Sequence, residues 1–287
     1  MYQKIDKMIK DLELRGRSAS TIKNMVYTLK SFSKFYNQPP ELLGEQQIIN
    51  YLDYCINEKK LCKARVNSIN SILKFFYVVT LEREWNDLRI PRIRCHRNLP
   101  AYLTKEEVKL IIDNATYLKH KAILSTIYSA GLRVSEATNL RLSDIMSKEM
   151  KIRVRAGKGN KERYTLLSQR NLELLREYWK VFGHKNYDSE DYLFTSRWSG
   201  EHLTNRGIQS SMLAATKRAG ITKKATPHTL RHSFATHLMN DGVDLVIIQA
   251  LLGHSNLKTT SIYLHVKDYT VLNVVSPFDK LWVHYRR

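Results

Sequence analysis

From residue 5 to residue 76 the apolar side chains recur every three or four positions, a period that fits amphipathic helices and excludes strands. Ile5, Met8, Ile9 and Leu12 form one stripe, and Ile22, Met25, Val26, Leu29 and Phe32 form a second. Pro39–Pro40 interrupts the pattern, because a proline ring removes a backbone donor and clashes with the preceding turn. The stripe resumes at Ile48, Ile49, Leu52 and Ile56, and again at Val66, Ile69, Ile72, Leu73 and Phe76. Four helices in residues 1–90 predict a compact helical domain. Residues 91–100 read as a basic linker, since Pro91 and Pro100 disfavour helix. Arg89, Arg92, Arg94 and Arg97 would suit a strap along a phosphate backbone, or simply a solvated surface.

Residues 101–287 read as a second, mixed α/β domain. Thr104-Lys105-Glu106-Glu107 is a capping box ahead of Val108, Ile111 and Ile112. Residues 150–167 predict a β-hairpin, with Ile152 and Val154 alternating with arginines and Gly157 to Asn160 supplying the turn. The fold class expected is therefore mainly α with a small β-sheet or hairpin. With 287 residues and 43 % hydrophobic side chains, the chain can bury a real core in each domain.

Lys and Arg outnumber Asp and Glu by 47 to 27, a formal charge of +20, and both halves of the chain are basic. An excess of this size most often serves a polyanion, because each neutralised phosphate releases counterions; an ordinary basic protein is the plainer alternative. Cys55, Cys62 and Cys95 are odd in number and form no C-x-x-C, so neither a disulfide framework nor a cysteine zinc site is indicated. No apolar run approaches the length of a membrane span and no apolar signal core follows Met1, so a cytoplasmic setting is expected.

Several segments could carry chemistry. Thr226 and Pro227 suit the N-cap and first position of a helix, which sets His228 and Arg231 on one face near its positive end. Such a place suits a phosphate, yet a His–Arg pair on a helix is usually a surface pair. His228 and His232 sit four apart, but no Glu completes an H-E-x-x-H frame and zinc is disfavoured. Arg133 lies three residues before Glu136, as a structural ion pair would. Gly253 reads as a helix stop, with His254 just beyond it. Tyr263 is one of 16 tyrosines, and nothing local makes it a nucleophile.

Order and spacing change the weight of these residues. Arg133, Lys158, His228-x-x-Arg231, Gly253-His254 and Tyr263 closely resemble the tyrosine recombinase (phage integrase) family, most strongly its Xer-like members between Pro227 and Val266. The hairpin Gly157-Lys158-Gly159-Asn160-Lys161-Glu162-Arg163 resembles that family's lysine-bearing β-turn, and Leu99-Pro100 with the helix from Thr104 resembles the start of its catalytic domain. The motifs span residues 97–268; the N-terminal part resembles the family's core-binding, SAM-like domain in size and position only.

The resemblance implies a site-specific DNA recombinase. Tyr263 would attack phosphorus, Arg133, Arg231 and His254 would hold the nonbridging oxygens, and His228 would take the phenol proton. Lys158, with Lys161 as the alternative, would protonate the leaving 5′ oxygen, and Glu136 would buttress. It also implies a 3′-phosphotyrosyl intermediate, no ATP, no metal and no other cofactor. The partners implied are double-stranded DNA and further copies of the chain, as a tetramer on two sites working through a Holliday junction, for integration, excision or resolution. Accessory proteins are left open, and no membrane partner is expected. A type IB topoisomerase and a non-catalytic DNA-binding protein are the competing readings. After Tyr263, the apolar Val271 to Val275, Phe278, Leu281 and Trp282 fit a tail docked on a neighbouring protomer or on its own domain, with Pro277 stopping any helix near Ser276.

Overall fold

The structure is a computed structural model and describes residues 3–95, 102–155, 162–183, 187–196, 202–253 and 276–282. The chain divides into two compact units, Met1–Asn98 and Leu99–Arg287. Mainly helical, it carries a small three-stranded antiparallel sheet.

The first unit holds α1 (Gln3–Leu14), α2 (Ala19–Tyr36), α3 (Glu45–Asn57) and α4 (Lys63–Phe75). Its core is the predicted stripes: Ile5, Met8 and Leu12 pack with Leu29, Phe32, Ile48, Val66 and Leu73. Ser18 caps α2, accepting from Thr21 N, and Asn37 ends it in the left-handed region at φ 51°. Two features were not expected. After α4 the chain widens into a π-helical turn, Phe76–Thr80. There the Tyr77 hydroxyl donates to Pro40 O at 2.6 Å and lies 2.8 Å from Leu43 O, fastening the loop after α2. The first half of the segment read as linker is laid along α4, with Ile93 N donating to Asn67 Oδ1 at 2.9 Å, Asn67 Nδ2 to Ile93 O at 2.8 Å, and Arg92 Nη2 to Ser71 Oγ at 2.8 Å. A side-chain amide that pairs with both polar groups of a backbone residue holds it as a neighbouring strand would.

The second unit holds α5 (Lys105–Asp113), α6 (Leu118–Ala130), α7 (Val134–Thr138), β1 (Ile145–Met146), β2 (Lys151–Val154), β3 (Arg163–Leu166), α8 (Gln169–Phe182), α9 (Asn205–Arg218), α10 (Pro227–Asn240) and α11 (Leu245–Leu252). The Thr104 capping box forms as read, with Glu107 N donating to Thr104 Oγ1 and Thr104 N to Glu107 Oε2. β2 and β3 pair antiparallel with Lys151 opposite Leu166 and Val154 opposite Arg163; the hairpin tip lies outside the described residues. The short β1 adds a third strand on β2 that two residues of alternation could not announce. Ile152 and Val154 point into the core, while Arg153 and Arg155 bond to the buried Asp144 at 3.0 and 2.7 Å.

The centre of this unit is the packing of α6 against α10. Gly131 ends α6 at φ 62°, and a Cβ there would lie 2.5 Å from the ring of Phe234 on α10, so the turn requires glycine twice over. Further along α10, the buried His237 Nδ1 lies 2.8 Å from the Tyr128 hydroxyl of α6, and nearer its start Leu103 N donates to Ser233 Oγ at 2.9 Å. Residues 276–282 pack on their own unit. The Ser276 hydroxyl donates to Ser129 O at 2.8 Å, Phe278 is buried beside Tyr128, and Asp279 Oδ1 accepts from Ser168 Oγ at 2.6 Å and from Arg170 N at 3.2 Å. A carboxylate at the start of α8 satisfies helix N–H groups and its dipole. Val271 to Val275 lie outside the described residues.

Candidate functional site

Three chain segments converge on one buried carboxylate. Glu136 stands in the first turn of α7 and accepts from the backbone N–H of Arg133 at 2.8 Å, so the side chain is first of all a helix cap. It then takes side-chain donors from three arginines. Arg133 Nη1 reaches Oε1 at 2.6 Å. Arg163, the first residue of β3, straddles both oxygens, Nη1 to Oε1 at 2.9 Å and Nη2 to Oε2 at 2.7 Å. Arg231, from α10, approaches Oε2 with Nη1 at 3.4 Å.

These pairs are desolvated to different degrees. The side chains of Glu136 and Arg231 are 4 % and 3 % exposed, Arg163 is 11 % and Arg133 is 33 % exposed. Burial by itself opposes ionisation of Glu136, but hydrogen bonds and charge from Arg163, then from Arg133, outweigh it and lower the carboxyl to about 2. Burial, joined by repulsion from Arg133, brings Arg231 down to about 10, still protonated at neutral pH.

Arg231 also binds two chain ends. Nη1 donates to Gly131 O, at the stop of α6, at 2.7 Å, and Nη2 donates to Leu252 O, at the end of α11, at 2.6 Å. Arg163 Nε takes the neighbouring carbonyl, Leu251 O, at 2.9 Å. The last carbonyls of a helix lack intrahelical partners and carry its negative dipole end, so two guanidinium groups complete α11 where its own ladder stops. Gly253 then turns the chain at φ 64°, as read, and His254 follows outside the described residues.

α10 begins as the sequence predicts, with Thr226 accepting from Thr229 N and Pro227 in the first turn. His228 is exposed, one turn before Arg231. Partial desolvation, then the charges of Arg231, His232 and Arg133, push its imidazole below the ordinary range, so it is neutral at pH 7. Among the described residues no group of three or more His, Cys, Asp and Glu could hold a metal ion, and no helix is long and apolar enough to cross a membrane.

Arg133, Glu136 and Arg231 are thus brought together, with His228 on the same helix as Arg231 and under the positive charge of both arginines. Lys158, Lys161, His254 and Tyr263 lie outside the described residues. Chemically, the described part is a cationic frame: three guanidinium groups against one carboxylate leave a net positive charge that suits a phosphate. Arg133 faces solvent with Nε and Nη2 unpaired among the described residues, while Arg231 and Arg163 stand behind it. Arg163 is the residue that reading the sequence missed as part of the site. It appears there as one more arginine of an amphipathic strand, like Arg153 and Arg155, and only its fork on Glu136 sets it apart.

Residues 101–269 match the phage integrase family, and residues 5–87 match the phage integrase N-terminal SAM-like domain. The chain is 35 % identical over 266 residues to the tyrosine recombinase XerA of Pyrococcus horikoshii, covering 89 % of this chain and 86 % of that one. It is 32 % identical over 271 residues to the tyrosine recombinase XerC of Halalkalibacterium halodurans, covering 88 % of each. Among solved structures it is similar to a XerA recombinase, at 28 % identity and a TM-score of 0.51 over 99 % of both chains. A lambda integrase dimer bound to a core site shares the fold at 20 % identity, with a TM-score of 0.69 over 89 % of this chain and 95 % of that one.

Proposed function

The chain belongs to the phage integrase family and is a tyrosine site-specific recombinase, a DNA breaking and rejoining enzyme; we propose that it works through a 3′-phosphotyrosyl link made by Tyr263. The observation that carries this reading is the pair Arg133 and Arg231 held on one carboxylate, with His228 exposed one turn before Arg231.

The chemistry follows from what a phosphodiester resists. Its oxygens are already negative, and more charge develops on them as a fifth ligand approaches phosphorus. Arg133 and Arg231 supply fixed positive charge for the two nonbridging oxygens, and His254 adds a hydrogen bond. The Tyr263 phenol oxygen forms the new bond to phosphorus while the bond to the 5′ oxygen breaks. A phenol titrates near ~10, so it must lose its proton at or before attack; His228, neutral at pH 7, accepts it. The departing 5′ oxygen takes a proton from Lys158, or from Lys161 at the same hairpin. One phosphate ester replaces another, so the link keeps the bond energy and no nucleotide is consumed. The 5′ hydroxyl of a partner strand then attacks the link, reverses the steps and frees the tyrosine.

In this reading residues 1–90 are the core-binding domain, 91–100 the linker and 101–287 the catalytic domain, an assignment supported by the two family matches at 5–87 and 101–269. The formal charge of +20 supports duplex DNA as the substrate. Four protomers on two sites, exchanging strands in pairs through a Holliday junction, complete the reaction as integration, excision or resolution.

The test is to trap the link. Full-length protein is incubated with nicked, labelled suicide DNA, digested, and the nucleotide-bearing peptide is sequenced by mass spectrometry. The expected peptide contains Tyr263; no adduct, or an adduct on another side chain, overturns the reading. Relaxation of supercoils without strand exchange would assign a topoisomerase instead.

The base has its own signature. Because His228 must be neutral to accept the proton and its pKa is lowered, cleavage at limiting DNA stays level down to below the ordinary value of 6.5 and falls only at more acid pH. His228→Gln should lower the rate by roughly a hundredfold or more and remove that acid limb. An unchanged acid limb in the variant gives the base role to another group.

A further inference from the structure

Arg163 has every nitrogen engaged inside the protein. Nη1 and Nη2 fork onto Glu136, and Nε donates to Leu251 O. With Nε, Nη1 and Nη2 all engaged, it has no nitrogen left over to hold a phosphate itself. What it touches is more telling than what it lacks. Its stem runs under the turn that ends α11: a Cβ on Gly253 would lie 2.6 Å from Arg163 Cδ and 2.9 Å from Nε. The turn at Gly253 therefore rests on this side chain. On its other side the same guanidinium sets the carboxylate that orients Arg133. Arg163 is also the residue at which the strand β3 leaves the hairpin bearing Lys158 and Lys161.

We infer that Arg163 is a positioning residue for strand cleavage, a strut that fixes the end of α11, the helix that precedes His254 in the sequence, against the Glu136–Arg133 pair. This role rests on the phosphotyrosyl reading above, because it acts through groups that the reading places on the phosphate. Geometry and not charge alone is required. A lysine ammonium would keep the positive charge beside Glu136 but cannot reach two carboxylate oxygens and a carbonyl from one plane. Losing the Leu251 bond frees the last turn of α11 to shift, and displacing a catalytic group by about 1 Å costs on the order of a hundredfold in rate.

The experiment compares wild type, Arg163→Lys and Gly253→Ala as full-length chains on the suicide substrate. Single-turnover cleavage at saturating DNA, the DNA dissociation constant and the thermal midpoint are measured for each. The expected result for Arg163→Lys is a cleavage rate down by roughly a hundredfold with DNA affinity within about threefold, since the phosphate contacts that dominate binding are elsewhere. Gly253→Ala presses a methyl group onto the Arg163 stem without removing any charge, and should show the same split between rate and affinity. It also covers the case in which Arg163→Lys does not fold. On a substrate whose scissile phosphate carries a neutral methylphosphonate, the demand for nonbridging-oxygen contacts falls, and the deficit of both variants relative to wild type should shrink by tenfold or more. Rates within about threefold of wild type would overturn the role. So would rate and affinity falling together, or a deficit as large on the methylphosphonate as on the natural phosphate. A wild type that forms no adduct would instead sink the phosphotyrosyl reading, and this role with it.

Discussion

Tyr263→Phe should abolish the covalent protein–DNA adduct, a loss of at least about ten-thousandfold in cleavage, while leaving DNA affinity within about twofold. The substitution deletes one oxygen and keeps the ring, so packing changes little and the nucleophile is gone. The tertiary structure narrows the field of substitutes among the 16 tyrosines. Tyr128 is buried with its hydroxyl against His237, and burial pushes its phenol well above the ordinary range. Burial does the same to Tyr77, and raises Tyr178 to about 12. A phenol that resists ionisation inside the core cannot attack DNA. An adduct surviving in Tyr263→Phe would have to come from an exposed tyrosine such as Tyr27 or Tyr164, and would sink the assignment. Binding measured in parallel separates loss of the nucleophile from loss of the complex.

Glu136→Gln should be the most damaging single change to the stability of the catalytic unit. It removes the only formal negative charge among the Glu136, Arg133, Arg163 and Arg231 side chains and leaves the buried Arg231 guanidinium uncompensated, which costs about 3–5 kcal/mol. The carboxyl also sets an acid limit. Its pKa is about 2 in the folded chain against 4.5 ordinarily. A depressed carboxylate contributes stability that is fully present above the unfolded value and is lost as pH falls through the folded one. The contribution, about 3 kcal/mol on this shift, should therefore hold at pH 7 and disappear between about pH 4.5 and pH 2. Urea unfolding of wild type and Glu136→Gln across that window checks it: the gap between the two should be widest at neutral pH and close on acidification. Parallel curves would show that Glu136 is not the group that titrates. Cleavage should fall with stability, since Arg133 and Arg231 lose the carboxylate that aims them.

Much of this protein was readable along the chain. The stripe Ile5, Met8, Leu12 became a buried helix face, the Thr104 box and the Thr226–Pro227 start formed as caps, and Gly253 closed α11 in the left-handed region. The pair Arg133–Glu136 was legible because its members stand three residues apart. The motif of Arg133, Lys158, His228, Arg231, His254 and Tyr263 pointed to the family, which the comparisons then established. The π-turn after α4, the strand β1 and the laying of Ile93 on Asn67 were not legible. Each depends on a partner far away in sequence or on a run too short to show a period.

The dividing line is the distance over which an interaction is written. Helix period, caps and glycine stops are bonds between residues a few positions apart, so the sequence by itself determined the helical first unit, the hairpin, and the candidate residues on their elements. Which carboxylate each arginine meets was decided only by tertiary structure. Arg153 and Arg155 are spent on Asp144, nine and eleven residues away, while Arg163 and Arg231 meet Glu136 across 27 and 95 residues. No local signal tells these side chains apart, because a guanidinium's role is set by the carboxylate and carbonyls that packing brings within reach.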